Sequence, residues 1–161
     1  MAQRSRRVSQ PRGRERSEYD QKLLDVRRVA RVVAGGRRFS FRVTVVIGNR
    51  NGKVGVGVAK GPDVAVATEK AVVRAKKRLI TVPVMPSRSI AHEVRAKFAA
   101  ARVLLWPRPA GSGIVAGGAV RAVVELAGIA NISSKILSRT SNKLTNAMAA
   151  LEALKQLTPR S

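Results

Sequence analysis

Enzymes need nucleophiles, bases or metal ligands, and this chain holds few of them: no Cys and a single His, His92. Disulfides, Cys-ligated zinc, iron-sulfur clusters and thiol nucleophiles are excluded, and little imidazole chemistry remains. His92 falls in the alternating run Ile90, His92, Val94, Ala96, Phe98, with Glu93, Arg95 and Lys97 between. That alternation predicts a half-exposed strand with His92 on its apolar side and Glu93 pointing away, so a His-acid dyad would need an acid from elsewhere. Glu69, Glu125 and Glu152 sit in predicted helices among Lys or apolar neighbours, and no spacing pairs two of them for acid-base work. Gly111-Ser112-Gly113-Ile114-Val115-Ala116 matches G-x-G-x-x-A, yet the acid that a dinucleotide fold wants about 20 residues later is missing from Asn131 to Ser138. Gly117-Gly118-Ala119 stands where a P-loop has Lys and Ser or Thr. Small residues packing a helix closely onto its sheet explain the motif, and the free N–H groups at that helix start could receive a phosphate. No catalytic residue, metal or cofactor is expected.

The informative residues are the cations. Lys and Arg number 32 against 9 Asp and Glu, a formal charge of +23 on 161 residues. Such a charge repels itself unless a polyanion compensates it, which points to nucleic acid. Between Asp25 and Asp63 there is no acid, while Arg27, Arg28, Arg31, Arg37, Arg38, Arg42, Arg50, Lys53 and Lys60 are all present. Solvated charge runs mix signs; this one does not. Arg offers bidentate bonds to phosphate, and glycines at Gly35-Gly36 and from Gly48 to Gly57 would let a nucleic-acid backbone come close. With one Trp, one Tyr and three Phe, backbone and shape recognition of folded RNA is expected rather than base stacking on a sheet. The RNA-binding candidates are Arg27, Arg28, Arg31, Gly35, Gly36, Arg37, Arg38, Arg50, Lys53, Lys60, Lys70 and Arg74.

The elements that must carry these residues form an α+β pattern in two small domains. Residues 1–18, rich in Arg, read as a disordered RNA-penetrating tail without the apolar stretch of a secretory signal. Alternation from Leu24 to Val32 and from Phe39 to Ile47 gives two strands, and a third, Lys53 to Lys60, follows a turn over Gly48 to Gly52. Asp63 caps a helix that the periodicity carries to about Ile80, with Lys70, Arg74 and Arg78 along one stripe. Residues 19–82 therefore make a three-stranded antiparallel sheet with one helix. A short edge strand at the start of the segment Thr81 to Ser89 opens the second unit, and residues 83–157 make a second α+β domain: a hairpin over Ile90 to Phe98 and Val103 to Trp106, a helix from Ile114 to Leu126, a strand from Asn131 to Ser138, and a helix from Thr145 to Leu157. Residues 158–161 are a frayed end. No apolar run reaches the ~20 residues of a membrane helix.

Two blocks resemble a known family. Gly36-Arg37-Arg38-Phe39-Ser40-Phe41 with Val45-Val46-Ile47-Gly48-Asn49-Arg50-Asn51-Gly52-Lys53-Val54-Gly55-Val56-Gly57 is similar to the signature of bacterial small-subunit ribosomal protein five. Pro107, Gly111 to Ala122 and Glu125-Leu126-Ala127-Gly128-Ile129 resemble that family's second block. The resemblance implies a double-stranded-RNA-binding-like domain followed by a domain of the ribosomal-protein-five type. It further implies a non-enzymatic structural constituent of the small (30S) ribosomal subunit, in the cytoplasm or in an organellar ribosome, that binds 16S-type ribosomal RNA near the neck. Assembly, decoding accuracy and a place beside the messenger RNA entry path come with it, as do contacts with ribosomal proteins four and eight. Arg27 to Gly36 would be the RNA-facing loop, and Gly113, Gly117 and Arg121 a surface toward ribosomal protein four. A small-molecule substrate is not expected. The rival classes are a nuclease, which lacks clustered acids or a His-centred base here, and a free double-stranded-RNA chaperone.

Overall fold

The computed structural model describes residues 18–158. The basic tail and the frayed end fall outside the described residues except for Glu18 and Thr158.

Eleven elements follow in order among the described residues. The first sheet is a meander of β1 (Asp20–Val33), β2 (Gly36–Gly48) and β3 (Lys53–Gly61), extended by β4 (Ile80–Thr81). Helix α1 (Val64–Lys76) covers one face, and its N-cap Asp63 accepts from the Val64 N–H. The bare face of β3 accounts for that packing. A Cβ at Gly55 or Gly57 would run into backbone atoms of α1, and one at Gly61 would lie within 2.8 Å of the Ala67 nitrogen. Ala67, Ala71 and Ala75, spaced four apart along the helix, are fully buried against this stripe together with Val43, Val45 and Ile47. These β3 glycines thus admit a helix, where the sequence suggested a nucleic-acid backbone.

The opposite face of the sheet presents Val46, Val54 and Val56 to a second, larger core. That core is filled by α2 (Gly118–Ala127) and α3 (Lys143–Lys155), which touch β1 to β3 on one side. On their other side lies a second sheet of order β5 (Val94–Phe98), β6 (Ala101–Pro107), β8 (Ile132–Ile136), β7 (Ile114–Val115). The result is a stack of helix, sheet, helix pair and sheet.

Four local expectations are corrected. Helix α1 stops at Lys76, because the chain turns back to lay Ile80–Thr81 on Lys53 and Val54. The first sheet therefore has four strands instead of three, and the short edge strand belongs to it rather than to the second unit. Strand β5 begins only at Val94, although its partner β6 runs on to Pro107, which the register sets opposite His92; a proline there has no N–H to contribute to a longer ladder. His92 lies in the irregular segment before it. The helix expected from Ile114 starts at Gly118, since Gly111 and Gly113 take φ of +87° and +71°, and β-branched Ile114 and Val115 pair in parallel with β8.

Candidate nucleic-acid interface

Strands β1 and β2 outrun the rest of the sheet. β3 pairs with β2 only as far as Phe41, so residues 29–40 form a two-stranded ribbon projecting beyond the helix-covered body, with Arg27 and Arg42 at its root. Ala34-Gly35 makes the reversal, with Gly36 at φ +126°, and no atom lies within 4 Å of a Cβ built on either glycine. Val32 is 76% exposed and Phe39 51%. Nothing in the body buries this arm.

Residues directly opposite in an antiparallel ladder share a face, so the register sorts the cations. Arg27 opposes Arg42, and Arg31 opposes Arg38. Lys60 opposes Arg42 across β3. These five form one cationic face, running outward from the end where the second core begins. Arg27 to Arg31 spans roughly 14 Å at the rise of a strand. The row has a negative stop at its inner end: Asp25 holds Arg27 at 2.7 Å and lies 3.9 Å from Lys143. Beyond Asp25, residues 26–62 of the three strands carry no acid. The other face carries Arg28, opposite Phe41, and Arg37, opposite Val32. The Arg28 guanidinium lies 4.5 Å from the centre of the Phe39 ring, on the α1 side of the sheet.

The remaining candidates are dispersed. Arg50 and Lys53 sit at the far end of β2, roughly 40 Å from the arm tip at strand rise. Arg50 pairs with Asp20 at 2.8 Å, at φ +54° in a turn organised by Asn49, whose Oδ1 accepts from the Asn51 and Lys53 N–H groups. This turn docks on the end of α2: the Arg50 and Gly52 N–H groups donate to the Leu126 and Ala127 carbonyls at 3.0 and 2.9 Å. Those carbonyls would otherwise lack helical partners. A Cβ at Gly48 or Gly128 would collide with the same junction, so these glycines too serve internal packing. Lys70 and Arg74 are on α1, and the Arg74 Nη1 donates to the Val58 carbonyl at 2.8 Å, away from the arm.

The glycine motif is likewise committed internally. Asn131 Oδ1 accepts from the Gly111 and Gly113 N–H groups at 3.1 and 3.2 Å, while its Nδ2 donates to the Ser87 carbonyl. Asn131 is 7% exposed and joins two loops, with Ser89 Oγ donating to its carbonyl. An Asn directly before a β-branched strand is the one sign of this hub that the sequence offers, and it is a weak one. Gly113 is exposed and Gly117 half-buried against Ile136. Arg121 is exposed, and its Nη2 donates to the Ile114 carbonyl at 2.7 Å, bracing the segment before α2. Glu125 on α2 reaches back to Lys22 on β1 at 2.9 Å. That hydrogen bond, with the charges of Lys22, Arg50 and Arg121, holds the carboxyl below its ordinary pKa of 4.5 against a smaller opposing effect of burial. Among the described residues no three His, Cys, Asp or Glu side chains meet as a metal site, and no helix is long and apolar enough to cross a membrane.

Comparison with known proteins matches both parts of the chain. Residues 19–83 match the model of "Ribosomal protein S5, N-terminal domain", and residues 96–160 that of "Ribosomal protein S5, C-terminal domain". Among similar proteins is "Small ribosomal subunit protein uS5c" of Cyanidioschyzon merolae, 53% identical over 88% of this chain and 92% of its own length. "Small ribosomal subunit protein uS5" of Thermotoga neapolitana is 50% identical over 87% of this chain and 78% of its own. That of Thermosynechococcus vestitus is 46% identical over 95% and 87%.

Proposed function

The chain belongs to the ribosomal protein S5 family, and from that premise we propose that it is a non-enzymatic structural constituent of the small ribosomal subunit that grips ribosomal RNA with the β1–β2 arm. Its place of work is the ribosome of a bacterial cytoplasm or of an organelle. The observation that carries the RNA reading is the arm with its root: Arg31 and Arg38 on the arm share one face with Arg27, Arg42 and Lys60 at its root, where Asp25 holds Arg27. Arg and Lys placed along an exposed ribbon neutralise phosphates, and the open backbone at Gly35-Gly36 allows an RNA strand to approach the tip.

Residues 19–82 then supply the RNA-gripping lobe, and residues 83–157 the lobe that meets neighbouring proteins. The family resemblance supports ribosomal proteins four and eight as those neighbours, Gly113, Gly117 and Arg121 as the surface toward the former, and a role in subunit assembly and decoding accuracy beside the messenger RNA entry path. Chemical footprinting on small-subunit ribosomal RNA tests the arm assignment. Replacing Arg27, Arg31, Arg38 and Arg42 by Ala should remove one contiguous set of protections and leave the others in place. Unchanged protections would sink the assignment.

A further inference from the structure

Strand β3 has an edge that its own fold leaves largely open. β2 takes one side along most of its length, whereas β4 takes the other only at Lys53 and Val54. The Val58 carbonyl faces that open side, where Arg74 reaches it; with the period of two along a strand, the main-chain groups of Val56 and Lys60 face the same way. A groove of about 480 Å³ runs along this edge, between Arg74, Lys77 and Arg78 on one wall and Phe98, Leu144 and Met148 on the other. Val56, Arg78 and Met148 also line a second hollow of about 370 Å³ that carries the trough on toward β4 and α3. Among the described residues, none of the three cations has a carboxylate partner, while the one acid lining the trough, Glu152, is already held by Lys155 at 2.7 Å.

We propose that the trough docks an extended polypeptide segment, alternating apolar and acidic residues, which adds a strand to the open edge of β3. That the segment comes from a neighbouring protein of the small subunit rests on the family reading. Three features fit that occupant together. Outward main-chain groups at strand spacing, with the Val58 carbonyl held only by the Arg74 side chain, hydrogen-bond a polypeptide backbone. Alternate side chains of an added strand point to opposite faces, so one set meets Phe98, Leu144 and adaptable Met148. The other set meets guanidinium and ammonium groups that have no carboxylate partner among the described residues, where carboxylates are preferred. An RNA backbone satisfies the cations but leaves the apolar wall and the strand edge without partners. Arg74 acts as a placeholder on the Val58 carbonyl and transfers to a carboxylate on docking.

Small subunits assembled with a benzoylphenylalanine photo-crosslinker in place of Met148, or separately of exposed Lys77, test this. Both positions should cross-link to one extended, acidic segment of one protein, mapped by mass spectrometry. Val58→Pro removes an outward N–H without touching the β2 ladder, and exposed Arg78→Glu reverses a wall charge. Each should lower the Lys77 cross-link about tenfold, the scale of one hydrogen bond lost from the docked segment. Cross-links to RNA, to a basic or helical segment, or to nothing in subunits that contain the protein would overturn the docking proposal alone. A wild-type chain that never enters small subunits would overturn the functional reading with it.

Discussion

A methyl group at position 57 would overlap the Ala71 carbonyl and come within 2.7 Å of the Ala75 nitrogen, both backbone atoms that cannot swing aside. Gly57→Ala is therefore expected to cost roughly 1–3 kcal/mol, the range of an overpacked core, read from the urea midpoint. Gly118→Ala is the internal control. It stands in the first turn of α2 with nothing within 4 Å of the added carbon, so it should be neutral or stabilise by up to about 1 kcal/mol. A loss of stability at Gly118 comparable to that at Gly57 would show that close backbone approach is not what the glycines serve. Glu125 makes a pH-dependent contribution. Its folded pKa lies below the ordinary 4.5, chiefly through the Lys22 hydrogen bond, so the stabilisation is complete above the unfolded value and fades as pH falls through the folded one. Glu125→Gln should flatten the acid limb of the stability profile below about pH 4.5 and leave its neutral limb parallel. With the carboxyl 43% exposed the effect is modest; an acid limb as steep as in the parent would place the titration elsewhere.

Among the elements, the β1–β2 arm should separate binding from stability. Val32, Arg37 and Arg38 stand beyond both cores, so Ala at Arg31, Arg37 and Arg38 is expected to change the unfolding free energy by no more than about 0.5 kcal/mol. RNA affinity should nevertheless fall, with a shallower salt dependence, by roughly 0.7–0.9 in log-log slope for each phosphate that the variant no longer neutralises. Equal slopes for parent and variant by filter binding would remove the arm from the interface. The β2 alternation from Phe39 to Ile47 and the Asp63 cap were legible because each is decided within a few residues. What lay hidden is set by long-range pairing. Ile80–Thr81 reads locally as the end of a helix or the start of a second unit, but Val54 across the sheet makes it a strand. His92 alternates correctly with Val94, yet the β6 residue that the register sets opposite it is Pro107, which has no N–H for a ladder. The β3 glycines signalled a close approach correctly, but composition cannot say whether a helix or a polyanion approaches. The cation run was visible as charge alone. Its division into an Arg27, Arg31, Arg38, Arg42 face and an Arg28, Arg37 face needed the ladder register.

At the scale of the whole molecule, the two family blocks are separate in sequence and joined in packing. The N-terminal lobe has a private core of Val43, Val45, Ile47, Ala59 and three alanines of α1, small for the sheet it supports. Its other face gives Val46, Val54 and Val56, at most 3% exposed, to the core shared with α2, α3 and the second sheet. The Gly48–Gly52 turn and the Lys22–Glu125 pair fasten the same boundary. Removing residues 83–161 would expose those three valines, each worth about 1.5–3 kcal/mol when buried, in a fragment of a size at which folding is already marginal. That sum is comparable with the whole stability of a small domain, roughly 5–15 kcal/mol. The fragment 18–82 is thus expected to lack a cooperative unfolding transition and to give poorly dispersed amide resonances, while the intact chain unfolds in one calorimetric step. Two resolved transitions in the intact chain, or a fragment that melts cooperatively near the parent temperature, would mean that the lobes are energetically independent and that the shared core only glues finished domains together. If the single step is observed, force or displacement applied at the arm passes through β1 and β2 directly into α2 and α3, because one packed core carries both.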